Sequence, residues 1–164
     1  MKYSILLIML SLSLISWGCA SKKSESQTDQ AEQATGQASN KSGLTPFQMK
    51  NGIGPVKQAV KVGALNKDLA AKGKAIFTQK CTSCHRIGKR YVGPDLSEVT
   101  SRRSPTYIMN MILNPGGMIQ KHPVAHGLLE KFATPMANMH LKKDQARAIV
   151  EYFRSVNPNG PQTK

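Results

Sequence analysis

The stretch Cys81-Thr82-Ser83-Cys84-His85 decides how this chain is to be understood. Two cysteines stand three residues apart and a histidine follows at once. Thiols at that spacing can meet two points along one edge of a flat macrocycle, and the adjacent imidazole can then reach a metal at its centre from one face. This is the attachment signature of a c-type haem. A thioredoxin-like redox pair would need a βαβ context, whereas here the motif follows a helical pattern in a chain with no convincing strand. A structural zinc site would want four ligands, usually including a second cysteine pair, and none exists. A plain Cys81–Cys84 disulfide leaves His85 without a purpose.

Outward from the motif the pattern is helical. Asn66 is an N-cap, and Leu69, Lys72/Gly73, Ile76/Phe77 and Lys80 follow at helical spacing up to Cys81. Ser104-Pro105 is a cap followed by an N1 proline. Ile108, Met111 and Ile112 then form an apolar stripe that Asn114-Pro115 stops. Pro123 opens a short helix through Phe132. A last helix runs from about Lys142 to Val156 with Ala146, Ile149, Val150 and Phe153 on one face; Lys142 and Lys143 at its start oppose the macrodipole. The expected fold class is therefore all-α, with one compact domain over 66–157 and a tail over 158–164. The breaker-rich segment 44–65 is expected to be extended and packed on the domain surface.

The N-terminus reads as an export signal over 1–18: Met1-Lys2-Tyr3, an apolar run from Ile5 to Ile15, then Ser16-Trp17-Gly18-Cys19. The apolar run is too short to span a bilayer as a mature helix, which needs about 20 residues. The end of the signal resembles a bacterial lipobox, in which Cys19 is lipidated and becomes the mature N-terminus. Gly18 fits that pattern, while Ser16 stands where Leu is usual and Trp17 is bulky. Ordinary cleavage to a soluble periplasmic protein is the alternative. Residues 19–43 are Ser, Gln, Ala, Thr, Lys and Glu with almost no branched apolar side chain, the composition of a flexible tether. With Cys19 lipidated and Cys81 and Cys84 on haem, none of the 3 cysteines is left over.

The chain has 164 residues with 23 Lys+Arg against 9 Asp+Glu, a formal charge of +14. That excludes an acidic calcium cage, and the charge density excludes a multispan membrane protein. Export excludes nucleic acid as the partner of so basic a chain.

Over Lys67 to Val156 the chain resembles monohaem class I cytochromes c. Gly73 and Phe77 stand where that family has a glycine and, four residues on, an aromatic before the haem motif. Gly93-Pro94 stands where the family's proline carbonyl accepts the second ring proton of the haem histidine, and Tyr152, with Phe153 beside it, stands where the last helix offers an aromatic near Gly73. The resemblance implies a small fold of three to five helices around one covalently attached haem c. It implies Cys81, Cys84, His85, Pro94 and Met136 as cofactor-binding residues, with His85 and Met136 as axial iron ligands, since Thr134-Pro135-Met136 matches the family's Pro-Met loop. Met139, His140 or an open sixth position are the alternatives for Met136. His122 and His126 are expected at the surface or at helix caps. Met/His ligation closes both axial positions, which points to electron transfer and not to an enzyme.

The stretches Asn51-Gly52-Ile53-Gly54-Pro55, Gly93 to Leu96, Arg102-Arg103 and Tyr107 to Pro115 also resemble small lipoprotein cytochromes found with nitrous-oxide reductase systems. The expected role is an anchored periplasmic carrier between respiratory donors and a terminal reductase or oxidase. A gas-binding or sensing haem protein with a displaceable sixth ligand is the alternative, and a haem peroxidase a remoter one. No small-molecule substrate is expected. Residues 51–164 carry 18 Lys+Arg and 6 Asp+Glu. In the family's fold Arg86, Lys89, Arg90, Lys142 and Lys143 would ring the haem edge and steer the protein to an acidic docking face. The competing readings are a merely solvated basic face and attraction to anionic lipid.

Overall fold

The computed structural model describes residues 43–157. The signal, Cys19, the tether up to residue 42 and the tail 158–164 lie outside the described residues.

Among the described residues seven helices follow in order: α1 (Pro46–Asn51), α2 (Lys67–Lys80), α3 (Val99–Arg102), α4 (Pro105–Leu113), α5 (Pro115–Lys121), α6 (Pro123–Phe132) and α7 (Lys143–Val156). There is no strand among the described residues. The helices read from periodicity are α2, α4 and α7, and α6 is the one that Pro123 is expected to open. Four helices carry Pro at their first turn, where the missing N–H costs nothing. Asn66 caps α2 by accepting from the Leu69 N–H at 2.9 Å, and Ser104 caps α4 through the Tyr107 N–H at 3.0 Å. In α7, Asp144 in the first turn offsets the two lysines.

The segment 44–65 departs from the extended form expected of it, because it opens on α1. Thr45 and Gln48 form a reciprocal capping box, the Gln48 N–H donating to the Thr45 hydroxyl at 3.2 Å and the Thr45 N–H to Gln48 Oε1 at 2.9 Å. The Thr-x-x-Gln spacing was the available signal, outweighed by the surrounding Gly and Pro. The three short helices α1, α3 and α5 span four to seven residues, too few to show a periodic stripe.

α2 and α7 pack most extensively, and Gly73 is the reason they can. A Cβ there would run into the Ala148 carbonyl of α7, so only glycine lets the two backbones approach. Phe77 then meets Tyr152 and Phe153 at ring-centroid distances of 5.4 and 5.6 Å. Phe153 is buried with Phe77, Ile108, Ile112, Ile149 and Val150 in the main core; each such side chain contributes about 1.5–3 kcal/mol on leaving water.

Two polar ties complete the frame. Glu151, fully buried on α7, accepts from Arg147 at 2.5 Å, Arg154 at 2.6 Å and the Asn66 N–H at 2.9 Å. Burial alone would raise its pKa. The Asn66 N–H and the two guanidiniums outweigh burial and hold the carboxyl below the usual range. On α4, fully buried Asn110 accepts from the Val56 N–H and donates to the Asn51 and Val56 carbonyls, each at 3.0 Å. Asn114 donates to the Ile53 carbonyl at 3.0 Å. The Asn51–Pro55 stretch is thus sewn onto α4.

Candidate haem site

One cavity of about 280 Å³ gathers the residues that the motif singles out. Cys81, Cys84, His85, Pro94, Met136 and Met139 all line it, with apolar walls from Phe77, Ile108, Ile112, Leu128, Leu129, Phe132 and Phe153. None of the lining residues is Asp or Glu.

The motif reaches the cavity because α2 stops at it. Cys81 is the C-cap of α2, its N–H bonded to the Phe77 carbonyl at 2.9 Å, and the Cys84 and His85 N–H groups turn back to the Cys81 carbonyl at 3.1 and 2.9 Å. Neither thiol is bridged. Burial, with Cys84 adding to it, pushes the Cys81 thiol up and keeps it protonated.

His85 Nδ1 lies 3.3 Å from the Pro94 carbonyl oxygen. A carbonyl only accepts, so Nδ1 carries the proton and Nε2 keeps its lone pair for a metal. Burial lowers the His85 pKa, against the opposing pull of Pro94, and favours the neutral ring a metal needs. Gly93 lets the loop lie flat on that ring: a Cβ there would stand 2.6 Å from His85 Cε1. Its N–H is bonded to the Cys84 carbonyl at 2.8 Å. Arg86 clamps the turn, donating to the Thr82 and His85 carbonyls, with its guanidinium 4.0 Å from the Tyr91 ring centroid.

Met136 and Met139 both line the cavity from the α6–α7 loop, whereas His140 is exposed and does not. His126 is exposed beside Glu130 at 3.5 Å. His122, expected at the surface or at a cap, stands at the head of α6 but is buried, 1% exposed, with Nε2 donating to the Met49 carbonyl at 3.1 Å. Burial follows from α1 and α4 closing over it, with its ring 5.2 Å from that of Tyr107. It does not line the cavity.

Lys89, Arg90, Lys142 and Lys143 are exposed and Arg86 half-buried. Arg90 sits 4.7 Å over Phe132, a cavity wall. Tyr91 and Val92, next in the chain, are exposed large apolar side chains, 51% and 38%; nothing in their sequence pattern sets them apart from an ordinary loop.

These features fit a covalently held haem. The walls are apolar, two thiols share one turn, and an imidazole of fixed tautomer and two thioethers line the same space. The family model for cytochrome c matches residues 70–157. The chain is 49% identical to the cytochrome c of Rhodothermus marinus, over 70% of this chain and 98% of that one, with a TM-score of 0.65. An engineered form of that protein matches at 46% identity over 70% and 99%, also with a TM-score of 0.65. A 37-residue stretch, 23% of this chain, is 51% identical to cytochrome c2 of Rhodopseudomonas palustris; the match spans 32% of that relative's length. With motif, cavity and relatives in agreement, the chain belongs to the cytochrome c family, an electron-transfer protein with one covalently attached haem c as its cofactor.

Proposed function

We propose that this protein is a periplasmic, lipid-anchored electron carrier that joins respiratory donors to a terminal reductase, with nitrous-oxide reductase the first candidate, or to an oxidase. The observation that carries the carrier reading is the convergence of Cys81, Cys84, His85 and Met136 on one apolar cavity with His85 Nδ1 turned to Pro94. Bound there, haem supplies one-electron chemistry, its iron alternating between Fe(III) and Fe(II). Cys81 and Cys84 would hold the macrocycle in place, and His85 Nε2 and the Met136 sulfur would bind its iron. The Pro94 carbonyl fixes the ring of His85 and raises its basicity. Phe77, Phe153 and the α6 side chains exclude water, which keeps the reorganisation on electron transfer small. Two protein ligands leave no position for a substrate.

The exposed cations Lys89, Arg90, Lys142 and Lys143, with Arg86 over Tyr91, would steer an acidic docking face toward the site and raise association rate more than affinity. Anchoring through Cys19 is supported by the Ser16-Trp17-Gly18-Cys19 sequence. Among the described residues no helix is long and apolar enough to cross a membrane.

The test is optical, on protein matured in a host that exports it and attaches haem. Wild type should show the weak sulfur-to-iron charge-transfer band of the ferric form and ignore carbon monoxide when reduced. Met136→Ala should lose the band and bind the gas. A wild type that lacks the band and takes up carbon monoxide would overturn the closed-carrier reading in favour of gas binding. A band that survives Met136→Ala would hand the sixth position to Met139.

A further inference from the structure

A buried histidine holds the junction of α5 and α6 against the N-terminal segment. His122 is the C-cap of α5 and the N-cap of α6, its N–H bonded to the Met118 carbonyl at 2.8 Å. Its side chain is buried and donates from Nε2 to the Met49 carbonyl of α1 at 3.1 Å. The other ring nitrogen, Nδ1, is buried without a partner, which is disfavoured. An apolar side chain would fill the space without that penalty, so what the histidine adds is the bond to α1. The carbonyl it meets is firmly placed. Asn51, at the end of α1, accepts from the Ser104 hydroxyl at 2.8 Å and from Asn110 at 3.0 Å, the cap and the middle of α4. His126, one turn on, approaches the Ile119 carbonyl of α5 at 3.3 Å, but it is exposed and stands beside Glu130.

The helix that follows depends on this tie. α6 packs along α5 and reaches α4 through the cluster of Tyr107, Met118 and Ala125 in its own first turn. Beyond that turn, Leu128, Leu129 and Phe132 form a wall of the haem cavity. At the far end the hold is an exposed one, Arg90 lying 4.7 Å over Phe132. The placement of the wall is therefore set at the head of the helix. We propose that His122 is a positioning residue for electron transfer: its bond to the Met49 carbonyl fixes the head of α6 and so sets how well Leu128, Leu129 and Phe132 shield the haem from water. Without that bond α6 tilts and water enters the cavity, which favours the more highly charged Fe(III) and lowers the reduction potential. α1 follows directly on the tether expected over residues 19–43, so the tether end of the domain bears on the redox centre. This inference rests on haem occupying the cavity and is independent of which sulfur is the sixth ligand.

The experiment uses haem-loaded full-chain protein as wild type, His122→Gln, His122→Phe and, as a control one turn along α6, His126→Gln. It reads the reduction potential, the circular dichroism of the haem band and hydrogen exchange in α6 and α7, with haem content and unfolding stability measured on each sample. His122→Phe keeps an aromatic ring beside Tyr107, 5.2 Å away in wild type, but has no N–H to give. It should lower the potential, change the dichroism and speed exchange in α6 over α7 by roughly fivefold, the worth of one hydrogen bond. His122→Gln keeps a donor at the same reach and should retain most of the wild-type values. A His122→Phe protein that is only less stable, with wild-type potential and dichroism and exchange rising equally in both helices, would overturn the proposal. So would an equal fall in His122→Gln or in His126→Gln. Where His122→Phe takes up no haem, Thr45→Ala carries the test by fraying the cap of α1 with His122 in place. It should lower the potential by less, and an unmoved potential would again overturn the proposal. Wild type without haem absorbance would overturn the assignment of the cavity and the inference with it.

Discussion

His85 and Met136 line the same cavity from loops built in different ways. On the histidine side several hydrogen bonds tie the chain down. The Gly93 N–H holds the Cys84 carbonyl, Pro94 holds the His85 ring, and Asp95 accepts from the Gly88 and Ser97 N–H groups at 2.8 and 2.9 Å. Between Thr134 and Leu141 the hydrogen bond present among the described residues is local, His140 N–H to Asn138 Oδ1 at 2.8 Å. That loop is bounded by two non-glycine residues in the left-handed region, Ala133 (φ 50°) and His140 (φ 51°), each costing of order 1 kcal/mol. The protein alone preorganises the imidazole. The thioether side has few such ties of its own.

The largest effect should come from the frame that carries the histidine side. Glu151→Gln leaves two guanidiniums with a weaker partner and should cost about 3 kcal/mol, measured by denaturant unfolding at neutral pH. Because the carboxyl of Glu151 is held below its ordinary value, its contribution is present above the unfolded-state pKa, near 4.3. It is lost as pH falls toward the lower folded-state value. Wild type should therefore lose stability below about pH 4.5 more steeply than Glu151→Gln; parallel acid branches would show that the carboxylate does not govern this window.

Gly93→Ala should cost about 2 kcal/mol, since the new Cβ meets a ring that Pro94 does not allow to yield. The change should also perturb the haem absorption. A silent Gly93→Ala would mean that the histidine side can adapt, and the contrast between the loops would weaken. Least of all, His140→Gly should stabilise by about 0.5–1 kcal/mol in thermal unfolding by removing the left-handed strain. A loss of stability instead would show that the His140 side chain holds the loop by something stronger than the strain it carries.

The chemistry of this protein was written in a few residues. Cys81, Cys84 and His85 name the cofactor because attachment geometry is set by covalent spacing within one turn; α2, α4 and α7 show themselves because each is long enough for an apolar face to repeat, and α6 through the proline that opens it. Gly73 and Pro94 were readable through family resemblance, and the close approach at Ala148 and the 3.3 Å contact to His85 supply the reasons for them. Other features depend on chain segments far apart in sequence. Asn110 reaches Val56 across 54 residues and Glu151 reaches Asn66 across 85; a polar residue inside a helix pattern looks like a solvated one until its partner is in place. For the same reason His122 reads as a surface histidine. Local sequence determines which bonds a turn can make, but burial is a property of the whole fold. Only the packed helices decide which polar groups lose water and must find a partner.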